Sequence, residues 1–401
     1  MTSPLATPRI LIIAGSDSGG GAGIQADIKT VTMLGGHAMT AVTAITAQNT
    51  LGVQAVHPVP ADMVLAQIDA CVSDIGVDAV KIGMIGSAET ANAVADWLES
   101  LCPREGGDPD WAPAFAGAQI SADAREAIPI VFDPVMVATS GAALADADTI
   151  AAFGRLMRLA TLVTPNLPEL AALGGEAAML AGAPAVLVKG GHDEGGVLTD
   201  RLVTRAGEIA RWSAPRIETR ATHGTGCTLA SAIATLLAHG SLLEAAIGGA
   251  RAFVRMALHD APGLGHGHGP MGQQRVRLDL GPGARLNQIT LPKAAGSEDF
   301  YRALGLTQIV ATEDGHYARF EAAGGATLSV EQGAAPTVFL ECDDLDAAVA
   351  RLQAAGVAFD QLPADQPWRW REARLTDPAG NALCLFQAGE DRRFPPWRLP
   401  R

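Results

Sequence analysis

The chain has 401 residues, of which 48% are hydrophobic, and it carries a formal net charge of −14. The length accommodates roughly two or three domains, and the negative charge argues against nucleic acid or an anionic membrane as the main partner. No apolar run is long enough to span a bilayer, and the first apolar run predicts a strand rather than a signal peptide. The five cysteines are scattered and form no CxxC pair, which indicates a reduced, cytoplasmic protein.

Short apolar runs alternate with longer helical patterns over the first two-thirds of the chain. Apolar strands separated by helices are typical of a mostly parallel sheet covered on both faces, so the predicted fold class is α/β. In chain order the sequence predicts strand RILIIAG, a helix from Ile24, the extended run AVTAITAQ, helix ADMVLAQIDACVSDI, strand DAVKIGM, helix ETANAVADWLESL, strand IPIVFDP, helix ADADTIAAFGRLMRLA, and strands TLVTPN and AVLVKGG. Antiparallel strands over 196–218 and two helices from Cys227 to about Leu258 complete this part.

Chemistry-bearing residues follow several of these strands. Ligands of parallel sheets bind outside the carboxyl ends of the strands. The residues expected there are the glycine loop after the first strand, Lys81, Asp133, Asn166, Lys189 and the stretch 222–240. Lys81 and Lys189 are two of only four lysines, and a compact ammonium at a strand end suits phosphate binding. The alternative is that these two lysines fall there by chance.

The stretch THGTGCTLASAIATLLAHG (222–240) places a glycine loop directly before an apolar helix. Backbone N–H groups and the positive end of the helix dipole at such a junction bind anions. A thiol at this point, Cys227, is expected to be acidified towards the thiolate. The alternative interpretation is an ordinary loop-to-helix junction with a small buried cysteine.

The sequence texture changes after GHGHGPMG. We expect a first domain over 1–272, a linker over 273–285 and a second domain over 286–401 that contains two β-α-β-β-β halves. Residues 102–127 are rich in Pro, Gly and Ala and predict a surface insertion without chemistry.

Ordered motifs then carry a family resemblance over about residues 9–271. They are AGSDSGGGAGIQADIKT, TAQNTLGVQ, VKIGMIG, DPVMVATSG, TPNLPE, VKGGH, THGTGCTLASA and GHGHGP. The first domain resembles hydroxymethylpyrimidine/phosphomethylpyrimidine kinases, thiamine-biosynthesis enzymes of the ribokinase-like superfamily. The resemblance implies an α/β/α sandwich that phosphorylates 4-amino-5-hydroxymethyl-2-methylpyrimidine and then its monophosphate, with ATP and Mg²⁺.

The same resemblance implies roles at the phosphoryl end of the site. Cys227 is expected to accept the proton of the substrate hydroxyl, in the place where sugar kinases have an aspartate; the alternative is a structural thiol. The backbone amides expected to hold the transferring phosphoryl group are those of Gly224, Thr225, Gly226 and Cys227. The residues expected to contact the nucleotide phosphates are Lys189, Thr225 and His223.

Roles for the metal and the pyrimidine also follow from the resemblance. Asn166 and Glu169 match an NxxE element that holds Mg²⁺, and Asp133 adds a carboxylate; the alternative for Glu169 is a charge in the first helical turn. Gln48 has both a donor and an acceptor for the aminopyrimidine edge. The other pocket positions are Gly15, Asp27 and Met84, of which Asp27 could instead be a solvated helix residue and Met84 a core residue. Lys81 falls near this pocket without an expected role.

The motifs FYRALGL, DDLDAAVARLQAAG and DPAGN carry a second resemblance, over about residues 286–389. The second domain resembles a single module of the vicinal oxygen chelate superfamily, which includes glyoxalases, dioxygenases and drug-binding resistance proteins. Metal-binding members supply a histidine on the first strand and a glutamate on the last. Gln288 and Cys384 stand in those places here, and Thr337 stands where a further histidine is common. We therefore expect binding rather than metal catalysis, and homodimerisation, because such modules need a partner half.

The sequence thus predicts an ATP- and Mg²⁺-dependent pyrimidine kinase with an appended module. Two alternatives stay open: a pyridoxal kinase, and a C-terminal module that binds or sequesters a small molecule. His266 and His268 invite a metal reading, but no third ligand is evident.

Overall fold

The computed structural model of the chain describes residues 7–101, 128–137, 144–192, 195–276, 285–322, 326–378, 380–392 and 394–399. The chain divides into two units, Met1–Leu278 and Asp279–Arg401. The predicted insertion at 102–127, the end of the DPVMVATSG motif and most of the predicted linker lie outside the described residues.

A mostly parallel sheet forms the centre of the first unit. Its strands are β1 (Arg9–Ala14), β2 (His37–Val42), β5 (Ala79–Ile82), β6 (Ile130–Phe132), β7 (Leu162–Val163), β8 (Ala185–Val188), β9 (Val197–Thr204) and β10 (Gly207–Pro215), and a separate hairpin joins β3 (Ala44–Asn49) to β4 (Gly52–Pro58). The strand order is β10-β9-β8-β7-β6-β5-β1-β2. Neighbours from β8 to β2 are parallel, and β9 and β10 are antiparallel at one edge. The predicted α/β class and its antiparallel edge are confirmed.

Helices cover this sheet. They are α1 (Gly23–Met33), α2 (Ala61–Asp74), α3 (Ala88–Leu101), α4 (Ala147–Leu159), α5 (Leu167–Ala172), α6 (Gly175–Gly182), α7 (Thr225–Ala238) and α8 (Leu243–His259). Helix α7 packs against α1, α8 and strands β1, β5 and β6. Its residues from Thr228 to Leu237 are all buried, which explains why the sequence of this helix is mostly apolar and has no charged side chain.

Two parts of the first unit differ from the sequence prediction. The run AVTAITAQ is not one extended segment, because Thr43 separates β2, which pairs with β1, from β3, which leaves the sheet. The Thr43 amide donates to Ala14 O and its hydroxyl to Met84 O, so this residue joins the ends of two parallel strands. The helix expected after Asn166 is α5, whereas α6 was not predicted, since it is too short to show a clear period.

The second unit contains two β-α-β-β-β halves, as predicted. The first half consists of β11 (Arg285–Pro292), α9 (Ser297–Ala303), β12 (Thr307–Ala311), β13 (Tyr317–Glu321) and β14 (Thr327–Glu331); the second consists of β15 (Thr337–Glu341), α10 (Leu345–Ala354), β16 (Gln361–Asp365), β17 (Arg371–Thr376) and β18 (Ala382–Gln387). They share one sheet with the order β12-β13-β14-β11-β15-β18-β17-β16. Antiparallel pairing of β11 with β15 joins the halves.

Alternation along the strands gives this second sheet two different faces. Apolar residues of one face, such as Phe320 and Leu385, belong to the two clusters that include Tyr301 of α9 and Val349 of α10. The C-terminal segment returns to the sheet, where the amide of Leu399 donates to Ile309 O. Within the part of the chain that the structure describes, no helix combines the length and the apolar character needed to cross a membrane.

Candidate active site

The carboxyl ends of the parallel strands bring the predicted polar residues to one edge of the first sheet. Asp133 follows β6, Thr164 follows β7 and Lys189 follows β8. Asp133 Oδ1 accepts hydrogen bonds from Thr164 Oγ1 at 2.9 Å and from Lys189 Nζ at 2.7 Å. These residues, which are far apart in sequence, therefore form one polar cluster at the edge where ligands of such sheets bind.

The N-terminus of α7 meets this cluster. Gly224 caps the helix in the left-handed conformation, with φ 83° and ψ 13°, and a Cβ at this position would lie 2.0 Å from Gly21 O. A Cβ added at Gly226 would lie 3.2 Å from Asp133 Oδ2 and 3.3 Å from Lys189 Nζ. Glycine is required at Gly224 for both conformation and space, and the first turn of α7 lies directly against the charged pair. The helix N-terminus and the ammonium group together favour an anion here.

Two neighbouring carboxylates control the charge of Lys189. Burial lowers the pKa of Lys189, but Asp133 and Glu169 outweigh burial and raise it, so the ammonium stays charged. Burial raises the pKa of Glu169 to about 7, Lys189 lowers it and Asp133 raises it again. Glu169 therefore titrates near neutral pH, which is unusual for a carboxylate and typical of functional sites.

Asn166 and Glu169 form a reciprocal cap at the start of α5. The Asn166 side chain accepts from the Glu169 amide at 2.8 Å, and Glu169 Oε2 accepts from the Asn166 amide at 2.8 Å. Sequence reasoning named the pair for Mg²⁺ and weighed a first-turn charge as the alternative. In this structure each side chain uses one oxygen for the helix cap, while the charges of Lys189 and Asp133 act on the Glu169 carboxylate and shift its pKa.

Cys227 lies in the first turn of α7 and is partly buried. Burial raises the pKa of its thiol to about 11; the Lys81 ammonium and a backbone hydrogen bond from Gly23 lower it, and Asp27 and Asp133 raise it. The prediction that the helix N-terminus acidifies this thiol is therefore wrong. Desolvation of the thiolate outweighs the helix dipole, which acts only over the first turn.

Lys81 does not reach the edge of the sheet. It lies within β5, its side chain is fully buried, and Nζ donates to Asp27 Oδ2 at 2.8 Å. Burial lowers the pKa of Lys81, but the Asp27 carboxylate outweighs burial and raises it. The other oxygen of Asp27 accepts from Ser231 Oγ of α7 at 2.7 Å. The expected place of Lys81 at the ligand-binding edge is wrong, and its ammonium, already paired inside the core, does not offer the phosphate contact that its sequence position suggested.

The predicted pyrimidine residues lie in three different surroundings. Gly15 and Met84 lie together, since a Cβ on Gly15 would approach Met84 Sδ to 3.1 Å. Gln48 is partly buried on the β3–β4 hairpin, and its Nε2 lies 3.0 Å from His223 Nε2. Asp27 is instead enclosed with Lys81, so its contact with substrate stays a prediction.

Sequence reasoning missed Asp17, which organises the glycine loop after β1. Its carboxylate accepts from the amides of Gly19, Gly21 and Ala22 at 2.7–2.9 Å and lies 2.9 Å from His223 Nε2. Burial raises the pKa of Asp17, but the hydrogen bond with His223 and those backbone bonds lower it overall. The available signal was an aspartate two residues before a run of glycines, a position that suits local bonding to backbone amides.

The residues in the metal positions of the second unit carry no ligand set. The Gln288 amide bonds Ser329 Oγ at 3.3 Å and Thr327 Oγ1 at 3.0 Å, and Thr337 lies on the neighbouring strand β15. Burial, followed by the charge of Glu372, raises the pKa of the Cys384 thiol. Across the described ranges, no three His, Cys, Asp or Glu side chains converge as metal ligands, in either unit.

The fold and this edge define a ribokinase-like small-molecule kinase. Residues 17–105 and 116–272 match the family model described as Phosphomethylpyrimidine kinase, and residues 285–385 match that of the Glyoxalase/Bleomycin resistance protein/Dioxygenase superfamily. The chain belongs to the phosphomethylpyrimidine kinase family. Both resemblances expected from the sequence are confirmed.

Similar proteins agree with this family. A hydroxymethylpyrimidine/phosphomethylpyrimidine kinase of Rhizobium meliloti is 46% identical over 278 residues, which cover 65% of this chain and 95% of the relative. The thiamine biosynthesis bifunctional protein ThiED of Geobacter sulfurreducens is 44% identical over 283 residues, which cover 67% of this chain and 53% of that relative. The crystal structure of an ADP complex of Bacillus subtilis pyridoxal kinase matches with a TM-score of 0.55 and 29% identity, covering 67% of this chain and 98% of that one.

Proposed function

We propose that this protein phosphorylates 4-amino-5-hydroxymethyl-2-methylpyrimidine and then its monophosphate, in thiamine diphosphate biosynthesis, with ATP as the phosphoryl donor. The observation that carries the proposal is the meeting of the α7 N-terminus with Lys189 and Asp133, within a chain of the phosphomethylpyrimidine kinase family. In phosphoryl transfer the protein mainly positions the reactants and stabilises charge. This edge provides both.

The phosphoryl group would be held by the amides of Gly224, Thr225, Gly226 and Cys227. These belong to the cap and first turn of a 14-residue helix, whose first N–H groups have no partner within the helix. Preorganised amides of this kind stabilise the charge that develops on the transferring group. Lys189, with Thr225 and His223, would contact the nucleotide phosphates, and its ammonium lies beside the same turn.

The oxygen-rich residues around Asp133 fit a magnesium ion. Mg²⁺ keeps several waters and binds through one or two carboxylates together with substrate phosphates, so it does not require a cluster of three acidic residues. Asp133 and Glu169 would supply the carboxylates, and Asn166 would fix Glu169 through their shared cap. When bound, the ion neutralises phosphate charge. Glu169 holds it best when ionised, which requires a pH above its pKa of about 7.

Cys227 would accept the proton of the substrate hydroxyl. Its sulfur lies in the same turn that would hold the phosphoryl group, and the buried ammonium of Lys81 favours the thiolate. Because its pKa of about 11 lies above neutral pH, only a small fraction is thiolate at any moment. Transfer of the hydroxyl proton to sulfur must therefore accompany bond formation rather than precede it.

The pyrimidine would bind between the glycine loop and the β3–β4 hairpin. Gln48 would pair with the aminopyrimidine edge through its amide donor and acceptor, and Gly15 and Met84 would form the apolar wall. His223 Nε2 donates to Asp17 and lies 3.0 Å from Gln48 Nε2, so the side chain that would pair with the base lies against the loop that leads into the phosphate site. Asp27 would also contribute to substrate binding in this pocket.

Product analysis by mass spectrometry tests the proposal directly. The full chain is incubated with hydroxymethylpyrimidine, ATP and Mg²⁺, and in parallel with pyridoxal in place of the pyrimidine. We expect the mono- and then the diphosphate of the pyrimidine. Faster turnover of pyridoxal would favour the second candidate, a pyridoxal kinase, which the likeness to the Bacillus subtilis enzyme supports. No product from either alcohol would contradict the kinase proposal.

We also propose that residues 1–272 and 286–401 act as separate domains, that the chain is a cytoplasmic homodimer, and that the second domain binds a small molecule. The division of the chain into two units supports the domains, and the free state of Cys71, Cys227, Cys342 and Cys384 supports a reducing compartment.

Analytical ultracentrifugation tests the dimer: a single species with the monomer mass at micromolar concentration would contradict it.

A further inference from the structure

The second unit has a sheet face that its helices do not cover. Helices α9 and α10 pack on Phe320 and Leu385 and their neighbours, so the residues that alternate with these point to the opposite face. We call this the polar face. It is defined by the buried side chains Gln288, Thr290, Arg319, Glu321, Ser329 and Glu372.

Glutamates of the polar face already have arginine partners. Glu321 accepts from Arg398 at 3.0 Å, and Glu372 accepts from Arg374 at 2.8 Å. Glu341, on β15 of the same face, lies 3.3 Å from Arg392 Nε. The side chains of these three glutamates are at most 13% exposed, so their pairing is what makes their burial tolerable. Arg392 and Arg398 both belong to the C-terminal segment.

Arg319 is the exception on this face. It is 5% exposed, and its guanidinium lies over the ring of Trp370, 5.3 Å from the centroid. Its Nε and Nη2 have no hydrogen-bond partner among the residues that the structure describes. Within the same described ranges, no carboxylate lies within ion-pair distance of Arg319. Nearly all buried donors in proteins have partners, so two on one buried cation require an explanation.

The geometry of the two nitrogens indicates what would satisfy them. Nε and Nη2 share one edge of the planar guanidinium, and the two N–H bonds on that edge are parallel. This is the fork that binds two oxygens of one carboxylate or phosphate. Ser329 lies opposite Arg319 on the paired strand β14, and its hydroxyl bonds that of Thr290 at 2.6 Å. Hydroxyl groups beside the fork can donate to further oxygens of the same anion.

Charge at this position also favours an anion. Burial lowers the pKa of Arg319, and the nearby guanidinium of Arg398 lowers it further, whereas Tyr317 and Glu321 raise it. Two positively charged guanidinium groups, those of Arg319 and Arg398, therefore lie near each other. The Glu321 carboxylate accepts a hydrogen bond from Arg398. An added anion would offset both the desolvation of Arg319 and its repulsion by Arg398.

We propose that the polar face of the second unit binds a small molecule through a carboxylate or phosphate group held by the Nε–Nη2 edge of Arg319. This site rests on the small-molecule binding proposed above for the second domain, and it does not depend on the proposed kinase activity. It is also not metal binding, because the metal positions hold Gln288, Thr337 and Cys384, of which Gln288 is bonded to Ser329 and Thr327.

Isothermal titration calorimetry of the full chain tests this proposal, with sodium acetate, sodium benzoate and inorganic phosphate as probes at constant ionic strength. Because the α7 N-terminus also attracts anions, the readout is the difference between variants. We expect saturable binding of at least one probe to the wild-type chain and to Arg302→Gln, an exposed control in α9. Binding to Arg319→Gln should be at least about tenfold weaker, the usual loss when one charge-assisted pair is removed.

The choice of probe distinguishes the two anions. Binding of acetate or benzoate but not phosphate would identify a carboxylate ligand, and the reverse would identify a phosphorylated one; either supports the site. Arg319→Lys keeps the charge but lacks the planar fork, so it should also bind more weakly while circular dichroism shows an unchanged fold. Absence of saturable binding to the wild-type chain, or equal binding to Arg319→Gln, would overturn the proposal.

Thermal unfolding separates this role from a structural one. Without added anion, Arg319→Gln should unfold at the same temperature as the wild-type chain or higher, because it removes a buried cation of which two nitrogens lack partners. If Arg319 served only to stack on Trp370, the same variant would unfold at a lower temperature and anions would not change the difference.

Discussion

The two sheets of this protein place their polar residues in different ways. In the first unit the polar residues follow the strands, so Asp133, Thr164 and Lys189 meet at one edge of the sheet. There Asp133 forms an ion pair with Lys189 and accepts a hydrogen bond from Thr164. In the second unit the polar residues lie within the strands and alternate with core residues, so Arg319 lies on a face of the sheet. A parallel sheet builds its site from loops, whereas a mixed sheet with helices on one side builds a site from its other side.

This difference bears on how each charge is tolerated. Lys81 and Lys189 are both held charged by carboxylates 2.7–2.8 Å away, whereas Arg319 has a ring face and no carboxylate of its own within the described residues. These two buried lysines of the first unit are therefore paired before any ligand binds. The second unit is completed only by an anion from outside. Variants at both places can test this contrast.

The largest effect should come from Cys227→Ala. We expect phosphorylation of the pyrimidine to fall about 10²- to 10⁴-fold, the usual contribution of a general base, while the pyrimidine still binds. In the wild-type chain, kcat should rise as the pH increases from about 7 to about 9, since the thiol pKa is about 11. Cys71→Ala, at a free thiol of α2, is the matched control. A Cys227→Ala enzyme with near-normal turnover would remove the cysteine from this role.

Lys81→Met tests whether the core pair stabilises the first unit. The substitution leaves the Asp27 carboxylate buried without its cation, and removing one partner of a buried pair costs about 3–5 kcal/mol of unfolding free energy. Urea unfolding followed by circular dichroism measures this loss. Adding Asp27→Asn to the same chain should recover much of it, because no unpaired charge remains. If the double variant is no more stable than Lys81→Met, the pair is not the source of the effect.

Glu169→Gln tests the carboxylate at the edge of the first sheet. The pKa of Glu169 in the folded chain, about 7, is above the ordinary value of 4.5, so the folded chain binds this proton more tightly than the unfolded chain. The free energy of unfolding therefore falls as the pH rises from 4.5 to about 7. The fall should total up to about 3 kcal/mol. Glutamine can keep the cap with Asn166 but does not titrate, so urea unfolding of the variant should lose this slope. Equal slopes in the two chains would refute the shifted pKa.

The smallest effect is expected from Arg319→Gln on kinase turnover. Because the polar face and the edge of the first sheet belong to separate units, kcat for the pyrimidine should stay within about twofold of the wild-type value, as is usual for sites without shared partners. A standard coupled assay for ADP measures this. A large loss of turnover would mean that the anion site of the second unit governs the kinase, and the contrast between two independent regions would fail.

The residues that sequence reasoning placed at the edge of the first sheet were those that follow strands. Asp133 and Lys189 could be found because a strand-like run ends just before each of them, and parallel strands end at the same edge. Lys81 follows the same local pattern, yet its strand extends through it and its side chain enters the core. Local sequence could not distinguish the two lysines, since the difference depends on Asp27 from another element.

The state of Cys227 was also beyond local reasoning. Its position at a helix N-terminus was readable from THGTGC, but its pKa depends on how deeply neighbouring elements enclose the thiol and on charges from α1, β5 and the end of β6. Asp17 forms local bonds to the glycine loop, which its sequence position could have indicated. Its contact with His223 could not be predicted in this way, because the two residues are 206 positions apart.

The sequence by itself determined the order of strands and helices, the two-part organisation and the family of each part, because these depend on hydrophobic periodicity and on short motifs of contiguous residues. Only the tertiary structure decided which charges are paired, which thiol is desolvated and which arginine is left with two donors unsatisfied. Those properties depend on distances between residues remote in the chain, and on the exclusion of water from the space between them.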